Sequence, residues 1–224
     1  GFTGEEIVRR CQKAGFHSDF IRVKDGLSRI NVKMKSNEET EINGMGPDIT
    51  GKNVELLFEQ LNELKAGDVL VLSGSIPSSI RSSIYKEIME RLQGRGIQIV
   101  VDAEKALLME VLPLHPFLIK PNNHELEAML GRTLSTKEDI LSGGKELQAS
   151  GARNVLVSMA GDGAVLLTED GTVYSEGVCR GTVVNSVGAG DSMVAGFLAG
   201  YLKTGDYGYA LKLGTASGGA TAFS

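Results

Sequence analysis

Tryptophan is absent from the 224 residues, cysteine occurs twice, histidine three times and proline five times, and aromatic residues make up only 5%. Two cysteines as distant as Cys11 and Cys179, with no CxxC pair and no histidine cluster nearby, exclude a disulfide scaffold and a structural zinc site. They read as buried or inert, in a reducing compartment. No window approaches about 18 consecutive apolar residues, and no charged segment leads an apolar one, so neither a membrane-spanning helix nor a signal peptide is expected. The chain reads as cytoplasmic, with no membrane partner. Positive charge is also scarce, since 23 Lys plus Arg face 28 Asp plus Glu for a formal net charge of −5. That balance excludes the broad basic field a nucleic-acid partner needs. A small phosphorylated ligand remains open, because a few backbone N–H groups and one or two arginines suffice to hold it.

Glycine is what the chain has in excess: 29 residues, about 13% against a typical ~7%, with no three-residue period. The excess should sit in turns and close backbone approaches. Ile7, Val8 and Cys11 recur at helical spacing, and residues 19–45 alternate in short runs (Phe20 and Val23, then Ile30, Val32 and Met34) broken by Asp25-Gly26 and Ser36-Asn37. The latter predicts a small antiparallel β element. Val54, Leu57, Phe58, Leu61 and Leu64 then mark an amphipathic helix stopping at Gly67.

From there, continuous apolar runs at 69–72, 97–101, 117–120 and 154–159 read as buried parallel strands. Helical patterns at 107–111, 125–130 and 140–147 lie between them, and 164–177 reads as a hairpin around Asp170-Gly171. A strand near 182–184, a helix over 190–202 and a last helix over 207–221, striped by Ala210, Leu213 and Ala216, complete the pattern. The fold class is α/β, with a small β appendage near the start of a layered domain.

Four segments carry residues suited to chemistry. In NSVGAGDSMVAG, at 185–196, Gly188, Ala189 and Gly190 form a turn into a helix whose N–H groups make an anion cradle. Asp191 beside it either caps the helix or takes a proton from an attacking hydroxyl. In KPNNHE, Asn122 and Glu125 either cap a helix reciprocally or hold a hydrated Mg²⁺. Ser158, Ala160, Gly161, Asp162 and Gly163 form either a β-turn or a small-residue shelf for a nucleotide. Ser73, Gly74 and Ser75 follow a strand with donors for a sugar or its phosphate, and Arg29 is either a solvated surface residue or a bidentate phosphate contact. His115 and His124 receive no role.

The chain holds no GxxxxGK[ST] loop, and Gly188-x-Gly190 lacks the third glycine of a dinucleotide fingerprint, Met193 standing in its place. Strand ends bearing Gly, Ser, Asn and Glu at one edge of a parallel sheet point to phosphoryl transfer to a hydroxyl. A non-catalytic sugar or nucleotide sensor on the same fold is the alternative.

Val187-Gly188-Ala189-Gly190-Asp191-Ser192 together with Lys120-Pro121-Asn122-x-x-Glu125 resembles the ribokinase-like (PfkB) carbohydrate kinases. Thr40-Glu41-Ile42-Asn43-Gly44, Ser73-Gly74-Ser75-Ile76-Pro77 and the closing 215–223 segment look like its 1-phosphofructokinase branch, with tagatose-6-phosphate kinase its nearest relative. The resemblance covers essentially the whole chain. It implies a three-layer α/β/α domain with a β lid over 19–45 and a core over 48–224, all one kinase domain. It also implies ATP and Mg²⁺ as cofactors and fructose 1-phosphate as acceptor. In that scheme Asp191 is the base and Gly188, Ala189 and Gly190 are the cradle. Asn122 and Glu125 hold Mg²⁺ through water, Ser158 to Gly163 line the ATP site with Gly190 and Asp191, and Arg29, Ser75 and Asp191 face the sugar phosphate. A homodimer paired through the lid is implied as well. Family members carry an N-terminal strand with an acidic sugar ligand and a GGKGxN motif, so about 50 to 70 residues are expected to precede Gly1, with more helix after Phe223.

Overall fold

The computed structural model describes residues 1–35 and 39–224. It divides into two compact units: Gly1–Leu64 with Ile76–Ile84, and Lys65–Ser75 with Tyr85–Ser224.

The first unit holds helix α1 (Phe2–Lys13), strands β1 (Asn31–Lys35) and β2 (Glu39–Asn43), and helix α2 (Gly51–Asn62). The strands pair antiparallel with Val32 opposite Ile42 and Met34 opposite Thr40. The β element is therefore real but shorter than the 19–45 expectation: Phe20 and Val23 lie in irregular chain, with Phe20 exposed. The Ser36-Asn37 turn falls outside the described residues. Helix α2 opens with a capping box in which Asn53 N donates to Thr50 Oγ1 and Thr50 N donates to Asn53 Oδ1.

The second unit is built on a six-stranded sheet: β3 (Val69–Ser73), β4 (Gln98–Asp102), β5 (Leu118–Ile119), β6 (Asn154–Ser158), β7 (Ala164–Leu167) and β8 (Val173–Glu176), side by side in that order. The first four run parallel, and the β7–β8 hairpin adds two antiparallel strands around the predicted turn. Between them come helices α3 (Ile84–Leu92), α4 (Lys105–Val111), α5 (Asn123–Leu130) and α6 (Lys137–Ala149), and after the hairpin α7 (Ala189–Thr204) and α8 (Tyr207–Ala222).

The layering follows from side-chain alternation along one strand. Leu166 packs with Phe197, Ala210 and Leu211 of α7 and α8, whereas a Cβ on Gly144 of α6 would meet Leu167 at 2.7 Å. Neighbouring strand residues point to opposite faces, so α7 and α8 cover one face and α6 the other, as in the expected three-layer arrangement. A parallel sheet buried on both sides explains the unbroken apolar runs at Val100–Val101 and Val155–Val157, all fully buried.

Three expectations are corrected. Residues 182–184 form no strand: Val183 and Val184 are exposed, and Val184 N donates to Ala222 O of α8 at 2.8 Å instead of joining a ladder. Helix α3 was not foreseen, although Ile84, Ile88, Met89 and Leu92 lie at helical spacing and are all buried. The buried face of α8 is Ala210, Leu211, Gly214, Thr215 and Gly218, with Leu213 and Ala216 only half-buried. Its glycines let α7 approach closely, since a Cβ on Gly214 would stand 2.9 Å from Met193 O. No helix among the described residues is long and apolar enough to cross a membrane.

Candidate active site

Helix α7 is preceded by its N-cap Gly188, whose φ of +80° lies in the left-handed region that favours glycine. The loop before it is tied down: Val187 N donates to Asn185 Oδ1 at 3.1 Å and Ala189 N to Ser186 O at 3.1 Å. Gly190 and Asp191 follow in the first turn, where amides have no intrahelical acceptor and the helix dipole presents its positive end. Asp191 is exposed. A Cβ on Gly190 would stand 3.1 Å from Lys120 Nζ, so a side chain there requires the ammonium to give way by a few tenths of an ångström.

Lys120 and Asp102 are charged residues that end buried strands. Lys120 Nζ lies 3.3 Å from Asp102 Oδ1, with the two side chains 8% and 17% exposed. Burial pushes the Asp102 carboxyl above its ordinary value. Lys120 opposes that shift, whereas the negative fields of Asp191 and Glu125 add to it. Lys120 and Asp102 form the close pair, and Asp191 and Glu125 act on Asp102 only through their negative fields. Sequence reasoning quoted Lys120 but gave it no role, and it passed over Asp102. The available signal was a charged residue closing an apolar run, IQIVVD or FLIK, where burial demands a partner.

Asn122 caps α5 in a full capping box: Glu125 N donates to Asn122 Oδ1 and Asn122 N to Glu125 Oε2, both at 2.8 Å. The capping alternative is therefore realised, and it orients Glu125 while engaging one of its two oxygens. Ser158 N donates to Pro121 O at 3.1 Å, and Asn122 and Ser158 form a parallel bridge. The KPN segment and the end of β6 are consequently one continuous edge.

A cleft of about 690 Å³ opens beside them. Asn122, Ser158, Ala160, Gly161, Gly163 and Gly190 all line it, which brings together three of the candidate segments. Its opposite chemistry is apolar, with Val183, Met193 and Phe223 contributing. The 160–163 turn is compressed: Ala160 has φ +44°, and a Cβ on Gly163 would fall 2.0 Å from Glu176 O. Asp162 is exposed and outside the cleft lining. Cys179, expected to be buried or inert, is exposed on the cleft wall because the loop that carries it never joins the sheet.

Ser75 follows β3, whose last residue Ser73 is in register with Asp102, and Gly74 N donates to Asp102 O at 3.1 Å. Ser75 thus shares the strand-end edge with Asp102. Arg29 belongs to the first unit.

The pfkB family carbohydrate kinase profile matches residues 1–224. The 1-phosphofructokinase of Bacillus subtilis is 46% identical over all 224 residues, which span 73% of its length. The D-tagatose-1-phosphate kinase of Bacillus licheniformis is 34% identical over 100% of this chain and 73% of its own. The tagatose ester in that name is the 1-phosphate, where the sequence resemblance pointed to a 6-phosphate kinase. Among solved structures, phosphofructokinase-2 of Escherichia coli with substrates and products superposes with a TM-score of 0.91 at 26% identity, covering 100% of this chain and 74% of that one. Helices on both faces of a mostly parallel sheet, beside a two-stranded antiparallel sheet, are the ribokinase-like α/β fold. With its motifs, its fold and its whole length in agreement, the chain belongs to the pfkB family of carbohydrate kinases, phosphotransferases that use ATP with Mg²⁺ and an alcohol group as acceptor.

Proposed function

We propose that the acceptor is fructose 1-phosphate, which receives a phosphoryl group from ATP to give fructose 1,6-bisphosphate and ADP. The acceptor rests on the 46% identity to the Bacillus subtilis 1-phosphofructokinase, and the transfer step on the exposed carboxylate of Asp191 in the first turn of α7, directly after a glycine cradle. Asp191 accepts the proton of the attacking hydroxyl. The amides of Gly188 and Gly190 receive the charge that develops on the transferred group, at the positive end of a helix, while Ala189 N, held by Ser186 O, fixes the turn.

Ser158, Ala160, Gly161 and Gly163, which line the cleft, form the shelf on which the nucleotide lies, and Ser75 at the strand-end edge contacts the sugar phosphate. The negative fields of Asp191 and Glu125 both reach Asp102, so carboxylates from α5 and α7 are directed to the same end of the sheet. Asn122 and Glu125 would hold Mg²⁺ through water, consistent with an ion that keeps most of its waters. When bound, Mg²⁺ neutralises and orients the phosphates.

The acceptor is tested by following ADP release from Mg-ATP with fructose 1-phosphate, tagatose 1-phosphate, tagatose 6-phosphate, fructose 6-phosphate and ribose. Turnover per unit concentration on fructose 1-phosphate is expected to exceed the others by about tenfold or more. A preference for tagatose 1-phosphate, favoured by the 34% identity to the Bacillus licheniformis kinase, would keep the mechanism and move the acceptor. ATP binding without turnover on any acceptor would favour a sensor.

A homodimer through the β element belongs to the same proposal. Val32, Met34 and Ile42 share one face of the two-stranded sheet and are 46%, 46% and 55% exposed, an apolar face that a second copy would cover. Light scattering is expected to give the mass of two chains, reduced to one by Val32→Lys; a monomeric mass for the parent protein would remove the dimer.

A further inference from the structure

The last turn of α8 is built against the first turn of α7. Thr221 Oγ1 donates to Ser192 Oγ at 2.7 Å, and Ser192 is the residue after Asp191. Ser192 N in turn donates to Gly188 O at 2.9 Å, closing the first turn of the helix. The methyl of Thr221 lies 3.8 Å from where a Cβ on Gly188 would stand, so the side chain that bonds Ser192 also faces the start of the segment.

The neighbours of Thr221 act on the same segment. Ala222 O accepts from Val184 N at 2.8 Å and from Asn185 N at 3.1 Å, which hangs the entering loop on α8. One turn earlier, a Cβ on Gly218 would stand 3.0 Å from Ala189 O, so the helices meet there backbone to backbone. Residues 188–192 are thus located by residues 218–222.

We infer that Thr221 is a positioning residue for phosphoryl transfer, its hydroxyl acting through Ser192 to set the first turn of α7 and with it the carboxylate of Asp191. The inference rests on the reading of Asp191 as the base. A half-buried hydrogen bond between two hydroxyls contributes little to stability. A small displacement of a reacting group, by contrast, costs rate steeply. The signature of the role is accordingly a loss in kcat that outruns any loss in stability.

The test uses the full-length protein with saturating Mg-ATP and the best acceptor, comparing Thr221→Val, Thr221→Ser and Asp191→Asn. Thr221→Val keeps the shape and removes the donor; it is expected to lower kcat about tenfold while KM for ATP stays within about twofold and the unfolding midpoint hardly moves. Thr221→Ser, which keeps the hydroxyl, is expected to restore most of the rate. Should Thr221→Val fail to fold, Ser192→Ala removes the same bond from its other side. An unchanged kcat in the donor-less variants, or an equal loss in Thr221→Ser, overturns the inference. If Asp191→Asn is inactive while Thr221→Val is normal, only the positioning role falls; if Asp191→Asn turns over normally, the reading of Asp191 falls and takes the inference with it.

Discussion

Asp191→Asn is expected to lower kcat by about 10³-fold or more, with KM for ATP nearly unchanged, because general-base catalysis by a positioned carboxylate contributes about 10²- to 10⁴-fold. The substitution is nearly isosteric and leaves the fold no reason to change: Asp191 is exposed, and Asn is tolerated at the start of a helix. The proposed nucleotide shelf, on β6 and the turn after it at 158–163, is left unchanged by the substitution. What is lost is the site that takes the acceptor's proton. Steady-state kinetics with nucleotide binding by calorimetry checks the result. Retention of turnover within about tenfold would show that the hydroxyl needs no base from this residue. Loss of ATP binding in step with activity would instead make Asp191 a nucleotide-site residue.

The second large effect is on stability and comes from the ion pair that sequence reasoning overlooked. Lys120→Met keeps the apolar stem and deletes the cation paired with Asp102, leaving a carboxylate that burial and two like charges already disfavour. Breaking a largely buried pair from one side costs about 3 kcal/mol, or roughly 6 to 12 °C in unfolding midpoint for a protein of this size. The pH dependence has a definite sign. Asp102 titrates in the folded protein above its unfolded value of 3.8, so stability falls as pH rises from that value through the raised folded one. Without Lys120 the folded value rises further, and the gap between variant and parent narrows as the medium is made acidic and Asp102 takes a proton. Lys120→Met combined with Asp102→Asn is expected to recover most of the midpoint at neutral pH. Calorimetry across pH decides it: a single variant as stable as the parent at pH 7 would mean that the pair is solvated and structurally idle.

Legibility in the sequence followed the range of the interactions involved. The strands β4 and β6 and the hairpin β7–β8 were readable because burial of a parallel sheet on both faces demands unbroken apolar runs, and because Asp170-Gly171 announces its own turn. Strand β3, by contrast, read as a buried strand from the same kind of run, lies at the sheet edge with Val71 exposed. The cap at Asn122 and Glu125 and the glycine turn at 188–190 were readable for the same local reason: each is completed within four residues. The Thr182–Val184 segment misled, since β-branched residues favour strands only where a neighbouring strand is present, and here the partner is a helix carbonyl at Ala222. Arg29 and Ser75 show the other limit: they fall in different units, and no spacing along the chain establishes a shared role for them.

By itself the sequence determined the α/β class, the strand-end placement of the motif residues and the family, all of which depend on local pattern and residue identity. Tertiary structure alone decided that Asp102 and Lys120 form a buried pair 18 positions apart, that the KPN edge, the 158–163 turn and Gly190 line one cleft, and that α8 holds the start of α7. Such contacts join groups distant along the chain, and their existence depends on how strands align in register and how closely glycine-bearing helices approach, neither of which any single segment encodes.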